Sequence, residues 1–212
     1  MLSLKIALVA TFVVALVGIP LAWGFARWAF RGKSVVEAVI TLPLVLPPTV
    51  VGYLLLVSFG HSGAIGGWLW KNWRYSLIFT WHGAVLAAAV VALPLLYLPA
   101  RAAFGTVERE MEDTARLMGA NWLAVFWHVS LPLARRGIAG GLLLAFARAL
   151  GELGATIMVF GAVAGQRTLP ISVYTDFVAG EREAAWPAVI VLICISVSLF
   201  GIYNLIGRRQ QE

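Results

Sequence analysis

The sequence predicts an all-α fold, a polytopic membrane helix bundle of about five transmembrane helices with a long cytoplasmic loop. Of the 212 residues 61% are apolar and only 12% are charged, whereas soluble domains average about 25% charged. So few polar side chains cannot cover a water-exposed globule, and nine Trp and eleven Phe exclude a disordered chain. The apolar residues are also grouped into five runs, each long enough to cross a bilayer.

Each apolar run predicts one membrane-spanning helix. The first run could instead be a cleavable signal peptide, but only Lys5 precedes it and no small-x-small cleavage site ends it, so we expect it to remain as a helix. Ser34 and Glu37 have the spacing of a capping box at the start of the second span. No repeat or low-complexity tract divides residues 1–212, which predicts one domain. The spans are predicted at 4–26, 35–59, 76–98, 137–160 and 187–207.

The distribution of Lys and Arg predicts that the N-terminus lies outside and the C-terminus in the cytoplasm. In this orientation ten basic residues lie inside and five outside, with Arg148 within a span. The net charge of +6 then reflects the flanks of the spans, and we expect no nucleic-acid binding. The inner residues are Arg27, Arg31, Lys33, Arg101, Arg109, Arg116, Arg135, Arg136, Arg208 and Arg209, and the outer ones are Lys5, Lys71, Arg74, Arg167 and Arg182.

Cysteine and histidine predict neither a disulfide nor a metal site. Cys194 is the only cysteine, and the three histidines are scattered at spacings that fit no helical ligand pair. Most tryptophans sit near predicted span ends, as interface anchors do. In the outer loop 161–186, the spacing of Ile171, Tyr174, Phe177 and Val178 predicts a short amphipathic helix.

The inner segment 99–136 predicts two short amphipathic helices that meet at Gly119. Over residues 106–118, four apolar residues recur at helical spacing and therefore lie on one stripe of the helix. Gly119 can adopt the left-handed conformation that ends a helix. Asn121 can cap the second helix, and Pro132 is expected to end it. The first stripe is Val107, Met111, Ala115 and Met118, and the second is Trp122, Val125, Phe126 and Val129.

This helical hairpin has two interpretations. It could rest on lipid headgroups, or it could dock a cytoplasmic protein partner. Lipid-bound helices usually carry a basic polar face, whereas residues 106–119 hold four acids and two arginines. The composition therefore favours docking.

The same segment resembles the "EAA" loop of ABC-importer permeases, in which Glu-Ala-Ala is followed after three residues by Gly and after nine more by Ile-x-Leu-Pro. Asp113-Thr114-Ala115, Gly119 and Val129-Ser130-Leu131-Pro132 match that spacing, with Asp113 in place of Glu and Thr114 in place of Ala. The resemblance implies that the loop inserts into a cleft on an ATP-hydrolysing subunit. The coupling residues it implies are Glu112, Asp113, Thr114, Ala115, Gly119, Ala120, Leu131 and Pro132.

Two further segments resemble the molybdate branch of that family, with tungstate and sulfate relatives as alternatives. They are residues 42–56, LPLVLPPTVVGYLLL, and residues 146–156, FARALGELGAT. The resemblance implies a multi-pass protein of a prokaryotic inner membrane. It also implies two cytoplasmic ABC ATPase subunits, a second permease copy in a homodimer and an extracytoplasmic oxyanion-binding protein as partners.

Prolines and threonines in the second span predict a broken helix that lines the substrate route. Each proline removes a backbone donor, and the groups this leaves free must be satisfied by protein or face a wet cavity. Hydroxyl groups can donate to an oxyanion, so Thr41 and Thr49 are the candidate ligands. A kinked span that only packs against its neighbours is the alternative. The candidate pathway residues here are Thr41, Pro43, Pro47, Pro48 and Thr49.

Arg148 and Glu152 lie in mid-span, four residues apart and on one helix face. Either charge alone costs about 2.5–3.5 kcal/mol at the bilayer centre. Either the two residues therefore form a neutralised pair that fixes packing, or Arg148 is a positive site on the anion route and Glu152 holds it in place. Glycines at 137, 140, 141, 151 and 154 allow close helix contact, which favours dimerisation or a crowded bundle.

No G-x-x-x-x-G-K-[ST] motif occurs in the chain. We therefore expect this chain to bind no cofactor and to catalyse no reaction, with ATP used by a separate subunit. A secondary carrier driven by an ion gradient is one alternative, although only Arg148 and Glu152 fit its pattern of intramembrane charges. A membrane scaffold that does not transport is another.

Overall fold

The computed structural model describes residues 2–161 and 167–208, with side chains up to residue 203. Within these ranges the backbone is helical and contains no strand, so the all-α prediction is confirmed. A 3₁₀ turn occupies Leu42–Leu44 and a π-helical turn Phe126–Ser130. The α-helices are α1 (Leu2–Arg27), α2 (Lys33–Thr41), α3 (Pro48–Phe59), α4 (Ala64–Trp73), α5 (Trp81–Gly105), α6 (Arg109–Leu117), α7 (Trp122–Val125), α8 (Leu131–Leu150), α9 (Gly154–Phe160), α10 (Leu169–Val178) and α11 (Arg182–Arg208).

Four helical stretches of the described chain are long and apolar enough to cross a membrane. They are Leu2–Arg27, Trp81–Gly105, Trp122–Leu150 and Arg182–Tyr203. The second predicted span, 35–59, is a bent pair, Lys33–Leu44 and Pro48–Phe59, with an angle of 112° between its halves. The prediction of about five spans is therefore confirmed if the bent pair is counted as one span.

The core of the bundle is α5, which packs against α1 on one side and α8 on another. Most of its alanines are buried, and small residues on α8 let the two helices approach closely. A Cβ on Gly137 would lie 2.5 Å from the Cβ of Ala103, and a Cβ on Gly141 would lie 3.1 Å from Leu96. These two glycines therefore serve contacts within the chain, and they give no support to dimerisation.

The start of the second predicted span differs from the expected capping box. Gly32, at φ +86°, is the residue before α2, and no side chain caps the helix. Glu37 faces α5 instead, where Oε1 accepts a hydrogen bond from Tyr97 at 3.2 Å and forms an ion pair with Arg101, whose Nε lies 3.0 Å away. The capping-box prediction is wrong because a basic partner from α5 binds this carboxylate.

The bounds of the third span are also shifted. The helix begins at Trp81, after Thr80, whose hydroxyl accepts from Gly83 N at 3.4 Å. It continues through Pro99 to Gly105, seven residues beyond the predicted end. The inner segment therefore begins after Gly105 rather than at residue 99.

The fourth predicted span, 137–160, is interrupted. Residues 151–153 separate α8 from α9, a break that was not predicted although Gly151 and Glu152 lie in it. The predicted outer helix is confirmed as α10, with Ile171 buried and Tyr174, Phe177 and Val178 exposed. Residues 162–166 of the predicted outer loop, and Arg209, lie outside the described residues.

Candidate functional site

The hairpin predicted between the third and fourth spans is present at one end of the bundle, where α6 and α7 meet. Gly119 takes a φ of +91°, as expected of a left-handed helix end. Its N–H donates to Arg116 O at 2.9 Å, and Ala120 N donates to Ala115 O at 3.0 Å. Asn121 caps α7 by accepting from Ala124 N at 2.8 Å. The helix–glycine–helix layout is confirmed.

The tip of the hairpin is exposed. Leu117 and Met118 are 89% and 85% exposed, more than other large apolar residues of the described chain. Asp113, Thr114 and Gly119 are exposed beside them, and Ala115 and Ala120 are half-buried. An apolar tip rimmed by polar groups is typical of a surface that another protein covers.

Glu112 is buried and lies on the opposite side of α6 from the tip. Its Oε1 lies 2.9 Å from Arg27 at the end of α1 and 2.5 Å from the hydroxyl of Ser130. Arg27 also donates to the carbonyl of Val107 at 3.0 Å. Within the chain Glu112 therefore anchors the first helix of the hairpin to α1.

The apolar stripe predicted on the first helix differs from the face that the structure buries, which contains Glu112. Val107 is buried, whereas Met111 and Met118 are exposed. The predicted apolar face is therefore not the face that packs on the bundle. The physical reason is the Arg27–Glu112 pair, since a buried carboxylate that holds an arginine and a hydroxyl fixes which side of the helix faces inward.

The second helix of the hairpin is anchored to α1 by aromatic contacts. The Trp23 ring stacks on Trp122 with centroids 6.2 Å apart, and meets Phe126 edge-on at 5.1 Å. Pro132 does not end this helix, contrary to expectation. It is the second residue of α8, and the π-helical turn Phe126–Ser130 lies directly before it. Leu131 beside it is half-buried, and the helix runs through the π-helical turn into α8.

Two interrupted helices contact each other inside the bundle. The bend of the second span lies at Val45–Pro47, and the break in the fourth lies at 151–153. A Cβ on Gly154 would lie 2.8 Å from Pro48, and a Cβ on Gly52 would lie 2.7 Å from the Cα of Ala155. The N-terminal turns of α3 and α9 are therefore in backbone contact.

Arg148 and Glu152 form the expected ion pair at this break. The Glu152 side chain is 1% exposed, and that of Arg148 is 30% exposed. Glu152 Oε1 also accepts from Ala155 N at 2.6 Å, so the same carboxylate caps α9. The pair thus joins the end of α8 to the start of α9, and Arg148 faces partly outward.

The other candidate pathway residues are divided by the bend. Pro48 and Thr49 lie at the start of α3 beside Gly154, and the Thr49 side chain is exposed. Thr41 lies on α2, before the bend, and its hydroxyl donates to Glu37 O at 2.8 Å within its own helix. Pro43 is half-buried in the 3₁₀ turn, and Pro47 is exposed at the bend. Of the two threonines, only Thr49 is therefore shown to lie beside the break.

Several residues that position these groups were not found from the sequence. Arg27, Ser130, Trp23 and Tyr97 act through partners at least 18 residues away, which no local pattern reveals. Of these four residues only Ser130 belonged to a pattern recognised in the sequence, as the variable residue of Val-x-Leu-Pro.

Comparison with known proteins agrees with this architecture. Residues 15–212 match the family model of binding-protein-dependent transport system inner membrane components. A molybdenum transport system permease of Escherichia coli K12 is 44% identical over 100% of this chain and 93% of its own length. A sulfate transport permease of Synechocystis is 34% identical over 96% of this chain and 76% of its own.

Among solved structures, a bacterial importer of the polysaccharide alginate matches with a TM-score of 0.66. It is 15% identical to this chain, covering 100% of it and 79% of the importer chain, so this likeness supports the fold alone. A family model that spans residues 15–212 and relatives aligned along nearly the whole chain establish the family. The chain belongs to the inner membrane components of binding-protein-dependent transport systems, and it is a multi-pass transporter subunit rather than an enzyme.

Proposed function

We propose that the chain is the permease subunit of an ATP-driven importer and forms the route of a tetrahedral oxyanion, molybdate. The relative named for molybdenum transport is more similar to this chain than the one named for sulfate. Tungstate and sulfate, which are dianions of the same shape, remain the competing substrates. The hairpin at Gly119 is the observation that carries the proposal, because a carrier driven by an ion gradient has no use for an exposed docking element.

We propose four protein partners and a fixed orientation. Two ATPase subunits bind the exposed tips of two hairpins, one from each copy in a homodimer, and ATP is hydrolysed there. A binding protein delivers the oxyanion on the opposite side. The hairpin therefore lies in the cytoplasm, with the N-terminus outside and the C-terminus inside, as the basic residues also favour.

The contacts of the hairpin support a mechanism of coupling. Its first helix is tied to α1 through Glu112 and Arg27, and its second helix is continuous with α8. When ATP closes the two ATPase subunits, the displaced hairpin moves both α1 and α8. Because Arg148 and Glu152 lie where α8 ends, the displacement reaches the contact between the two interrupted helices.

The chemistry of the break suits an oxyanion in transit. Arg148 supplies a positive charge that Glu152 neutralises only in part toward the exposed side, and Thr49 supplies a hydroxyl donor. In a homodimer the two copies contribute these groups symmetrically. The site holds the anion through few direct ligands, so that it can leave as the conformation changes.

The test is ATP hydrolysis by the complex reconstituted with its binding protein, measured with molybdate, tungstate or sulfate. Stimulation by molybdate at lower concentration than by the other two anions supports the proposal. Uptake that follows a proton gradient, without any bound ATPase, would instead support the secondary carrier.

A further inference from the structure

The two halves of the bent second span are held in the bundle by different contacts. The second half, α3, has two buried residues, Val51 and Gly52, and is in backbone contact with α9. The first half, α2, has no buried residue, and Val35 and Val39 on its surface are 67% and 63% exposed. Of its apolar residues Ile40 alone is half-buried and packs on the core. The first half is therefore the less firmly packed of the two.

The contact between α2 and α5 is centred on Glu37. Its Oε1 accepts a hydrogen bond from the hydroxyl of the buried Tyr97 at 3.2 Å and lies 3.0 Å from Arg101 Nε. The Thr41 hydroxyl binds within its own helix, and Lys33 donates to two carbonyls at the end of the first span. Within the described chain, Glu37 is therefore the one polar side chain that joins α2 to α5.

The ion pair of Glu37 and Arg101 is of a kind that can open and close. The side chains are 20% and 37% exposed, and a part-exposed pair contributes little free energy because water competes for both charges. A cavity of about 460 Å³ opens beside Arg101, so its guanidinium has room to move away from Glu37. Opening the pair hydrates both charges rather than leaving one of them buried.

Both ends of α2 are places at which the chain can turn. Gly32, directly before it, has a φ of +86°, and a Cβ there would meet nothing within 4 Å. After it comes the bend at Val45–Pro47, where the two halves of the span meet at 112°. Hinges in proteins are typically a few residues at the ends of such elements. The chain can therefore let α2 move away from α5 while α3 stays against α9.

Arg101 also lies close to the hairpin along the chain. It belongs to the last turns of α5, which ends at Gly105, and the first helix of the hairpin begins at Arg109. A displacement of the hairpin therefore pulls directly on the end of α5 that carries this guanidinium.

We propose that Glu37 is a positioning residue for transport. Paired with Arg101 it holds α2 against α5, and the pair opens when the ATPase displaces the hairpin. The released α2 then turns about the bend at Val45–Pro47 and changes the width of the substrate route there. This inference rests on the proposed function for the ATPase and the route, whereas the tie between α2 and α5 does not depend on it.

The test is electron paramagnetic resonance of a nitroxide at Val39→Cys, in a Cys194→Ser background that removes the only native cysteine. A nitroxide at Val57→Cys on α3 is the matched control, because Val57 is 53% exposed but its helix is held by α9. Spectra are recorded for the complex with cysteine-free ATPase subunits, without nucleotide and with ATP and vanadate. We expect ATP and vanadate to increase the mobile component at Val39 and to leave the Val57 spectrum unchanged.

Substitutions of the pair should have the same effect without nucleotide. Glu37→Gln keeps an acceptor for Tyr97 and removes the charge that faces Arg101, so the ratio of mobile to immobile label at Val39 should rise about two- to fivefold. Fewer oxyanions should then be taken up for each ATP hydrolysed. The exchanged pair Glu37→Arg/Arg101→Glu should recover the immobile spectrum. Glu183→Gln, at an exposed acid in the first turn of α11, should change neither quantity.

Equal mobility at Val39 in Glu37→Gln and the unaltered protein would overturn the proposal, since another surface would then be holding α2. Failure of the exchanged pair to recover the immobile spectrum would show that charge does not hold α2, and would overturn it as well. A Val39 spectrum unaffected by ATP and vanadate, in a complex whose ATP hydrolysis is stimulated by oxyanion, would overturn this inference alone. Absence of stimulation by any of the three oxyanions would overturn the proposed function, while the nucleotide-free spectra would still test the tie between α2 and α5.

Discussion

The guanidinium of Arg27 lies 2.9 Å from the carboxylate of Glu112, which is 85 residues away along the chain. Both side chains are buried, and the Ser130 hydroxyl binds the same carboxylate oxygen. This pair joins the end of the first span to the hairpin. In the mechanism proposed above, it is the contact through which a movement of α6 reaches α1.

Removing one member of this pair should be far more damaging than removing both. Arg27→Met leaves the buried Glu112 without its close ion-pair partner, since Arg116 lies 4.0 Å away, and this should lower the free energy of unfolding by about 3–5 kcal/mol. The double variant Arg27→Met/Glu112→Met should recover most of that loss, because two apolar side chains need no partner. Thermal unfolding in detergent measures both. Arg167→Met, in a part-exposed pair with Asp176, is the control and should change little.

Gly119 should tolerate substitution poorly although the space around it is open. A Cβ there meets nothing within 4 Å, so the cost of Gly119→Ala arises from its φ of +91° and should be about 1–2 kcal/mol. We expect weaker copurification of the ATPase. Gly105→Ala, where a Cβ also meets nothing but φ is not positive, should have no such effect. Gly119→Asn should restore part of the binding, because Asn adopts the left-handed conformation more readily. Equal copurification with Gly119→Ala and Gly105→Ala would show that the bend is not needed for docking.

Gly52→Ala should separate the two interrupted helices. Its Cβ would lie 2.7 Å from the Cα of Ala155, and a backbone cannot move aside as a side chain can. We expect a loss of stability of about 1–3 kcal/mol and a marked loss of uptake. Gly140→Ala, whose Cβ would meet only the ring of Tyr203 at 3.5 Å, provides the comparison. Uptake by proteoliposomes that is equal in the two variants would contradict a role for this contact.

The two functions of Glu152 can be separated by substitution. Glu152→Gln keeps an oxygen for the Ala155 N–H but loses the charge that faces Arg148, whereas Glu152→Leu loses both. Glu152→Gln should therefore unfold at a higher temperature than Glu152→Leu. The exchanged pair Arg148→Glu/Glu152→Arg restores opposite charges but not the cap of α9, so it should not restore uptake. Recovery of uptake in the exchanged pair would reduce this site to simple charge pairing.

The two threonines of the bent span should differ in their effect on transport. Thr41→Val removes a hydroxyl that already donates to Glu37 O within its helix, so uptake should be nearly unchanged. Thr49→Val removes an exposed hydroxyl beside the break and should raise the oxyanion concentration needed for half-maximal uptake. Dose–response curves of the two variants provide the comparison. Equal effects would remove Thr49 from the proposed route.

The parts of the fold predicted from the sequence are those that depend on local pattern. Long apolar runs locate α1, α5 and α11, because a bilayer requires continuous hydrophobic length. The conformation of Gly119 and the cap at Asn121 follow from side chains only a few residues away. These features need no knowledge of the rest of the chain.

The parts that the sequence did not predict depend on partners distant in the chain. Glu37 looked like a capping residue until the structure paired it with Arg101, and Glu112 looked like a surface acid until it was found beside Arg27. Pro132 looked like a helix end because its role depends on the π-helical turn before it. The break at 151–153 was not predicted, because Glu152 was interpreted only as a partner of Arg148 and not as an acceptor for the N–H of Ala155 at the start of α9.

The second helix of the hairpin continues into α8 without a break, so α8 can act as a rigid lever. The 20 residues of α8 extend about 30 Å, so a tilt of about 5° at the hairpin sweeps the far end through about 2.6 Å. That distance is comparable to the length of a hydrogen bond. A small swing on one side of the bilayer is thus enough to make or break a ligand contact near its middle.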